Sequence, residues 1–232
     1  MDRVSLIKTL MEKKGLKNYL EIGVFNGHVF FRVKSTRKVA IDPEFRFDNL
    51  RKLGKAIINP YNLFNKYFQK TSDDFFRDDA PAYFSKSKIE IALVDGMHEY
   101  AFALRDVENI LRYLSDDGAI IMHDCNPDTA GAARSFAEWQ QQGMTGQWNG
   151  DVWKAVVDLR SLRNDINVLV LDCDYGLGVI TKQRPETTLG FSKNEIASLT
   201  YDQLNSNRKE WLNLKPAEYA YEYFDLEKSL AK

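Results

Sequence analysis

The chain has three histidines, His28, His98 and His123, and each follows closely on a short β-branched or apolar run. Histidine is the usual base at neutral pH, so residues held at the ends of strands are placed for proton transfer. His98 and His123 are the candidate catalytic residues; His28 reads better as a structural or loop contact. Asp95-Gly96 lies just before His98, and Asp124 directly follows His123. Two carboxylates at neighbouring strand ends offer hard oxygen ligands to a divalent metal, Mg or Mn, that acidifies a substrate hydroxyl. A histidine in the set would favour a softer ion. Glu21, Gly23 and Gly27 close the first apolar run, where glycine lets the backbone approach a ligand. Asp42 comes 21 residues after Glu21, near the offset at which a carboxylate meets a ribose diol. An adenosine-containing ligand is therefore expected. The loop is Gly-x-x-x-Gly and lacks the GxGxxG that sets a helix N-terminus on a pyrophosphate, which argues against NAD or FAD.

Other residues have plainer readings. Asp95-Gly96 is also common turn chemistry, Ser72 reads as the cap of a helix starting at Asp73, and Asp151 as the cap of a helix over 152–159. Asp124 has a capping alternative of the same kind. Asp106 and Glu108 are expected on a solvated helix face. The segment 150–154, with Trp139 and Trp148 upstream, is expected to overhang the site, where indoles often stack on sugar faces, while Trp139, Trp153 and the stripe Tyr219, Tyr223 and Phe224 also read as core or as a subunit contact.

The elements that must position these residues alternate between apolar runs and helical patterns. Strands are expected over 19–22, 39–42, 67–70, 89–95, 119–123, 167–171 and 178–181. A helix over 99–114 carries the inward stripe Leu104, Val107, Leu111 and Leu114. The link over 172–177 is too short for a crossover and must be a hairpin, so the last strand is antiparallel. The fold expected is α/β, a Rossmann-like, doubly wound, mostly parallel seven-stranded sheet with an antiparallel last strand. Residues 1–184 form that domain. Residues 185–232 form a helical C-terminal extension, with amphipathic stretches around Trp211 and over 219–226 that dock on the sheet edge or on a partner subunit.

Bulk numbers narrow the partners. With 32 basic and 33 acidic side chains the net charge is -1, so no overall field gathers nucleic acid or an anionic membrane. A small-molecule acceptor fits better, with no nucleic acid, no membrane and a homo-oligomer expected. Cys125 and Cys173 lack metal or disulfide spacing, and the N-terminus reads as an amphipathic helix, so cytoplasmic residence is expected.

Leu20-Glu-Ile-Gly-Val-Phe-Asn-Gly27 resembles motif I of class I S-adenosylmethionine-dependent methyltransferases, and Val39-Ala-Ile-Asp42 resembles their motif II. Val94-Asp-Gly-Met-His-Glu-Tyr100, then Asp106, then Asp117-Gly-Ala-Ile-Ile-Met-His-Asp124 is similar to the O-methyltransferases of antibiotic and sugar tailoring. The resemblance runs over roughly 18–181 and departs from the family at 28–35, short and β-branched where the family has a regular first helix. It implies S-adenosylmethionine as cofactor, with Glu21, Gly23 and Gly27 at its methionine end and Asp42 on its ribose. It further implies Ser72 and Asp73 at the adenine, Asp95 and Gly96 beside the cofactor, and Asp95, His98, His123 and Asp124 at the reacting centre. A metal would sit on Asp95 and Asp124. The reaction implied is O-methylation of a small hydroxylated acceptor such as a sugar, glycoconjugate or secondary metabolite. The alternatives are N-methyl transfer and a catalytically silent binding protein of the same fold.

Overall fold

The structure, a computed structural model, describes residues 1–226. The chain opens with α1 (Arg3–Lys13), capped by a reciprocal box between Asp2 and Ser5, and enters β1 (Asn18–Ile22). A 3-10 turn, Phe30–Arg32, leads to β2 (Arg37–Ile41) and α2 (Asn49–Ile58). A second 3-10 turn, Pro60–Phe64, precedes β3 (Lys66–Phe68), α3 (Ser72–Asp78), α4 (Ala80–Tyr83) and β4 (Ile89–Val94). Next come α5 (Tyr100–Leu111), β5 (Leu114–Met122), α6 (Phe136–Gln141) and α7 (Trp153–Leu162). The hairpin of β6 (Asn167–Leu171) and β7 (Leu177–Thr181) follows, then α8 (Lys193–Ser198), α9 (Tyr201–Trp211), β8 (Leu214–Lys215) and α10 (Tyr219–Tyr223).

These strands make one sheet in the order β3-β2-β1-β4-β5-β7-β6-β8. β7 runs antiparallel to both neighbours and every other pairing is parallel. The sheet thus has eight strands, one more than expected, because β8 in the supposedly helical extension pairs with β6. Trp211 packs on Trp153, and Phe224 and Leu226 enter the core. Residues 227–232 of the extension lie outside the described residues.

Side chains alternate between two cores, as strand geometry requires. Leu20, Ile22, Val39, Ile41, Val94 and Ile120 face one core, under α3, α5 and α7. Tyr19, Ala40, Ile91, Leu93 and Ile121 face the other. That second face has no helix between β1 and β2. Phe30 and Phe31 of the 3-10 turn fill the space with Phe45, Phe47 and Tyr67, in edge-to-face and tilted ring contacts of 4.9 to 6.0 Å, while α1 supplies Leu6, Ile7, Leu10 and Met11. The departure noted at 28–35 is therefore real, and helices from both chain ends cover that face instead.

Several expected boundaries move. α5 stops at Leu111, where Tyr113 N–H closes a tight turn on Ile110, and Leu114 opens β5 by pairing with Ile89 across a register shift. Gly118 therefore lies inside a strand, its Cα facing the Glu90 carbonyl closely enough to exclude a side chain. Thr71, and not Ser72, caps α3. Asp151 does not cap α7: its Oδ1 accepts the Tyr100 N–H at 2.6 Å and so caps α5 from 51 residues away. Asp106 is buried rather than solvated, at 4% exposure.

Candidate functional site

The carboxyl ends of β1, β2 and β4 meet at one edge of the sheet, and the residues following each strand enclose a cavity of about 600 Å³. Its walls are Gly23 and Phe25 after β1, Asp42 and Pro43 after β2, Thr71, Ser72 and Asp73 after β3, and Asp95 to His98 after β4. Phe102 and Asp106 of α5 complete it. This is the size of pocket that holds a small ligand or cofactor.

Gly23 has φ +81°, and a Cβ there would lie 2.0 Å from the Asp95 carbonyl oxygen. The two loops can touch only because residue 23 has no side chain. Asp42 ties two loops together: its Oδ2 accepts the Phe25 N–H and its Oδ1 the Glu44 N–H, both at 2.7 Å. Each oxygen keeps a second lone pair for a ligand hydroxyl. Asp73 takes Arg105 Nε at 2.8 Å on its outer side. Asp106, on the inner wall, is pushed up to about 7, chiefly by burial.

Asp95 joins the cavity to a charged cluster behind it. Its Oδ1 lies 3.1 Å from His123 Nδ1 and 3.8 Å from His98 Nε2, and its Oδ2 lies 3.2 Å from Arg3 Nε. Burial alone would raise its pKa, but His123 and Arg3 outweigh burial and hold the carboxylate below its ordinary range. His123 Nδ1 also sits 3.0 Å from Asp124 Oδ2, and Arg3 Nη1 is 2.9 Å from its Nε2. Burial disfavours a cationic ring there, yet Asp124, Asp174 and Asp95 together push His123 up to about 11. Asp174, held by the Arg3 side chain and backbone N–H, is driven far below the carboxylate range; burial opposes this and is overcome.

His98 stands differently. Its ring stacks on Trp148 at 5.0 Å, and its Nδ1 lies 2.9 Å from the Trp148 carbonyl oxygen and 3.2 Å from Asp124 Oδ2. Both neighbours are acceptors, so we assign the proton to Nδ1, which leaves the Nε2 lone pair on the side of Asp95. Trp148 carries His98 on one side and Trp139 on the other, at 4.5 Å, so its faces are already in use. Asp124 has φ +62° and accepts Asn149 Nδ2, an arrangement fixed by the loop before α7 and not by a following helix. One ligand atom each from Asp95, His98 and Asp124 fall within 4.8 Å of one another.

Of the residues singled out in the sequence, Gly23, Asp42, Ser72, Asp73, Asp95, Gly96 and His98 therefore share one cavity. Glu21 and Gly27 do not line it. Glu21 lies on the opposite sheet face, accepts the Tyr19 hydroxyl at 2.6 Å, and is pushed up to about 8 by burial. Gly27 has φ +75°, and a Cβ there would strike the Phe31 ring, so its role is to let the 3-10 turn form. His123 and Asp124 lie behind Asp95. His28 is at the surface beside Arg32. Sequence reasoning missed Arg3, Asp174, Asn149 and the inward aspect of Asp106. Arg3 and Asn149 lie far along the chain from the motifs they serve, and Asp174 sits in the hairpin turn.

Residues 20–125 match the family model described as a methyltransferase domain. No curated protein matches the sequence. Among solved structures, an O-methyltransferase from Bacillus cereus in complex with SAH is similar at 11% identity, with TM-score 0.56, over 78% of this chain and 80% of its own. The O-methyltransferase TomG from Streptomyces achromogenes, in complex with SAM, is similar at 11% identity and TM-score 0.57, over 78% and 79%. An O-methyltransferase family protein from Burkholderia thailandensis is similar at 11% identity and TM-score 0.52, over 79% of this chain; the chain spans 55% of that protein's length. At these identities the likeness is one of fold.

Proposed function

We propose that this chain, whose residues 20–125 match a methyltransferase domain and whose fold is that of O-methyltransferases, is an S-adenosylmethionine-dependent methyltransferase that methylates the oxygen of a small hydroxylated acceptor with His98 as base. The observation that carries this is the setting of His98, a cavity-lining residue whose Nδ1 faces two acceptors and whose Nε2 lies 3.8 Å from Asp95 Oδ1.

The cavity would hold S-adenosylmethionine, with Gly23 and Gly96 admitting its methionine portion, Asp42 taking the ribose hydroxyls, and Ser72, Asp73 and Asp106 around the adenine. Ionised Asp95 attracts the sulfonium end. Bound there, the sulfonium would supply an electrophilic methyl group and a sulfur leaving group for in-line attack, and the role of His98 Nε2 would be to take the proton of the acceptor hydroxyl. His123, hydrogen-bonded to Asp95 and Asp124, serves to hold Asp95 ionised. Positioning and exclusion of water supply most of such a rate enhancement, with a base adding about 10²–10⁴-fold.

A second reading rests on the closeness of Asp95, His98 and Asp124. This mixed nitrogen and oxygen set fits a divalent ion of the Mn type better than Mg. Such an ion would supply Lewis acidity toward the acceptor hydroxyl, and His98 would be a ligand instead of the base. Arg3 and His123 already balance Asp95, which favours the metal-free reading. The test is transfer of labelled methyl to panels of phenols, saccharides and amines, with and without EDTA. Label in hydroxyl acceptors unaffected by EDTA is expected. Label confined to amines overturns O-methylation, and full loss on EDTA with recovery on Mn favours the metal.

A further inference from the structure

Amphipathic helices in compact domains turn their apolar stripe inward, but α2 is reversed. Leu50, Leu53, Ile57 and Ile58 of α2 are 79%, 59%, 76% and 80% exposed, while the helix turns Ala56 and Lys52 inward. Lys52 Nζ lies 4.5 Å over the Tyr67 ring. The adjoining 3-10 turn adds Leu63 and Phe64, 62% and 76% exposed. Patches of this kind on a folded domain mark contact surfaces.

Charge identifies what it contacts. Residues 49–70 contain five basic side chains and no acidic one, in a chain whose net charge is -1. Lys70 is paired with Asp79, but among the described residues no ion pair is made by Arg51, Lys52, Lys55 or Lys66. The near-neutral total thus conceals a segregated field. A second copy of the chain meeting this face across a twofold axis would set most of these basic residues against one another, with Asp48, the α2 N-cap already taken up by the Arg51 N–H, as the nearest acid in sequence. A surface that is both anionic and apolar beneath its charges relieves them fully. No described helix is long and apolar enough to cross a membrane, which leaves an in-plane contact.

We propose that α2 and the Pro60–Phe64 turn form a docking face for an anionic lipid bilayer, with Leu50, Leu53, Ile57 and Phe64 entering the interface and Arg51, Lys55 and Lys66 at the headgroups. The proposal stands on this face alone and does not depend on the transfer reaction.

The test is co-sedimentation of the full chain with vesicles of phosphatidylcholine alone or with phosphatidylserine added, together with the mass in solution by light scattering. Binding to the anionic vesicles only, weakened by salt, is expected. Leu53→Ser with Ile57→Ser should lower it by about tenfold or more, and Arg51→Ala or Lys55→Ala by about fivefold each. All these positions are exposed or half-buried, and circular dichroism verifies that the variants are folded. Two results overturn the proposal. One is a monomer that binds neither vesicle; the other is a dimer that binds neither and that Leu53→Ser with Ile57→Ser converts to a monomer, which would make the face a contact between copies.

Discussion

The two sides of Asp95 are both rich in aspartate and behave in opposite ways. Toward β1, β2 and β3, the aspartates line an open cavity, and Asp42 spends one lone pair per oxygen on loop N–H groups while keeping others for a ligand. Toward β5 and β7, Asp124 and Asp174 are engaged by Arg3, His98, His123 and Asn149. One side is built to receive and the other to hold. The difference teaches that the reacting group must lie at the seam, where Asp95 and His98 belong to both sides.

Breaking the seam should have the largest effect. His98→Ala is expected to lower kcat by about 10²–10⁴-fold while S-adenosylhomocysteine affinity changes by less than about threefold. A loss of kcat under about tenfold would mean that no base acts there.

The open side is tested next by Gly23→Ala. The added Cβ must displace the Asp95 carbonyl and adopt a left-handed conformation, so cofactor affinity should fall by about 100-fold, read by calorimetry. Unchanged affinity would show that the loops need not touch.

Much of this was legible in the sequence, for a physical reason. Ligand chemistry in parallel sheets gathers at strand ends, so Gly23, Asp42, Asp95 and His98 announce themselves through local apolar runs followed by glycine, acid or histidine. What was hidden depended on long-range packing. Arg3 reaches Asp95 from a helix 92 residues away, and nothing in the first turn of α1 signals it. Asp106 sits at a helical position that faces ligand space instead of solvent, which a hydrophobic stripe cannot reveal. Glu21 lies within motif I but belongs with Tyr19 on the opposite face, as strand alternation requires. β8 is two residues long, below any periodic signal.

Glu21 sharpens the contrast between faces through pH. Its folded pKa of about 8 lies above the ordinary 4.5, so the stability it contributes is complete below about pH 4.5 and is lost as pH rises through about 8. Lys38, pushed down to about 7 by burial, opposes this at higher pH. Relative to the parent, Glu21→Gln should therefore gain on the order of 4 kcal/mol between about pH 5 and about pH 9. Thermal melts across that range should show the difference in Tm widening, and a constant difference would contradict the placement of Glu21.

The smallest effect is expected on the closed side. Arg3→Gln removes one of the groups that hold Asp95 ionised, so kcat should fall by about tenfold and the acid limb of its pH profile should move to higher pH. A lower kcat with no movement of that limb would make Arg3 a structural residue only.

The central claim, that the cavity between β1, β2 and β4 takes S-adenosylmethionine, is tested most directly by calorimetric titration of S-adenosylhomocysteine into the parent chain and into Asp42→Ala. One site per chain is predicted, with affinity reduced by about 10- to 100-fold when the Asp42 carboxylate is removed. No binding, or binding untouched by Asp42→Ala, would contradict it.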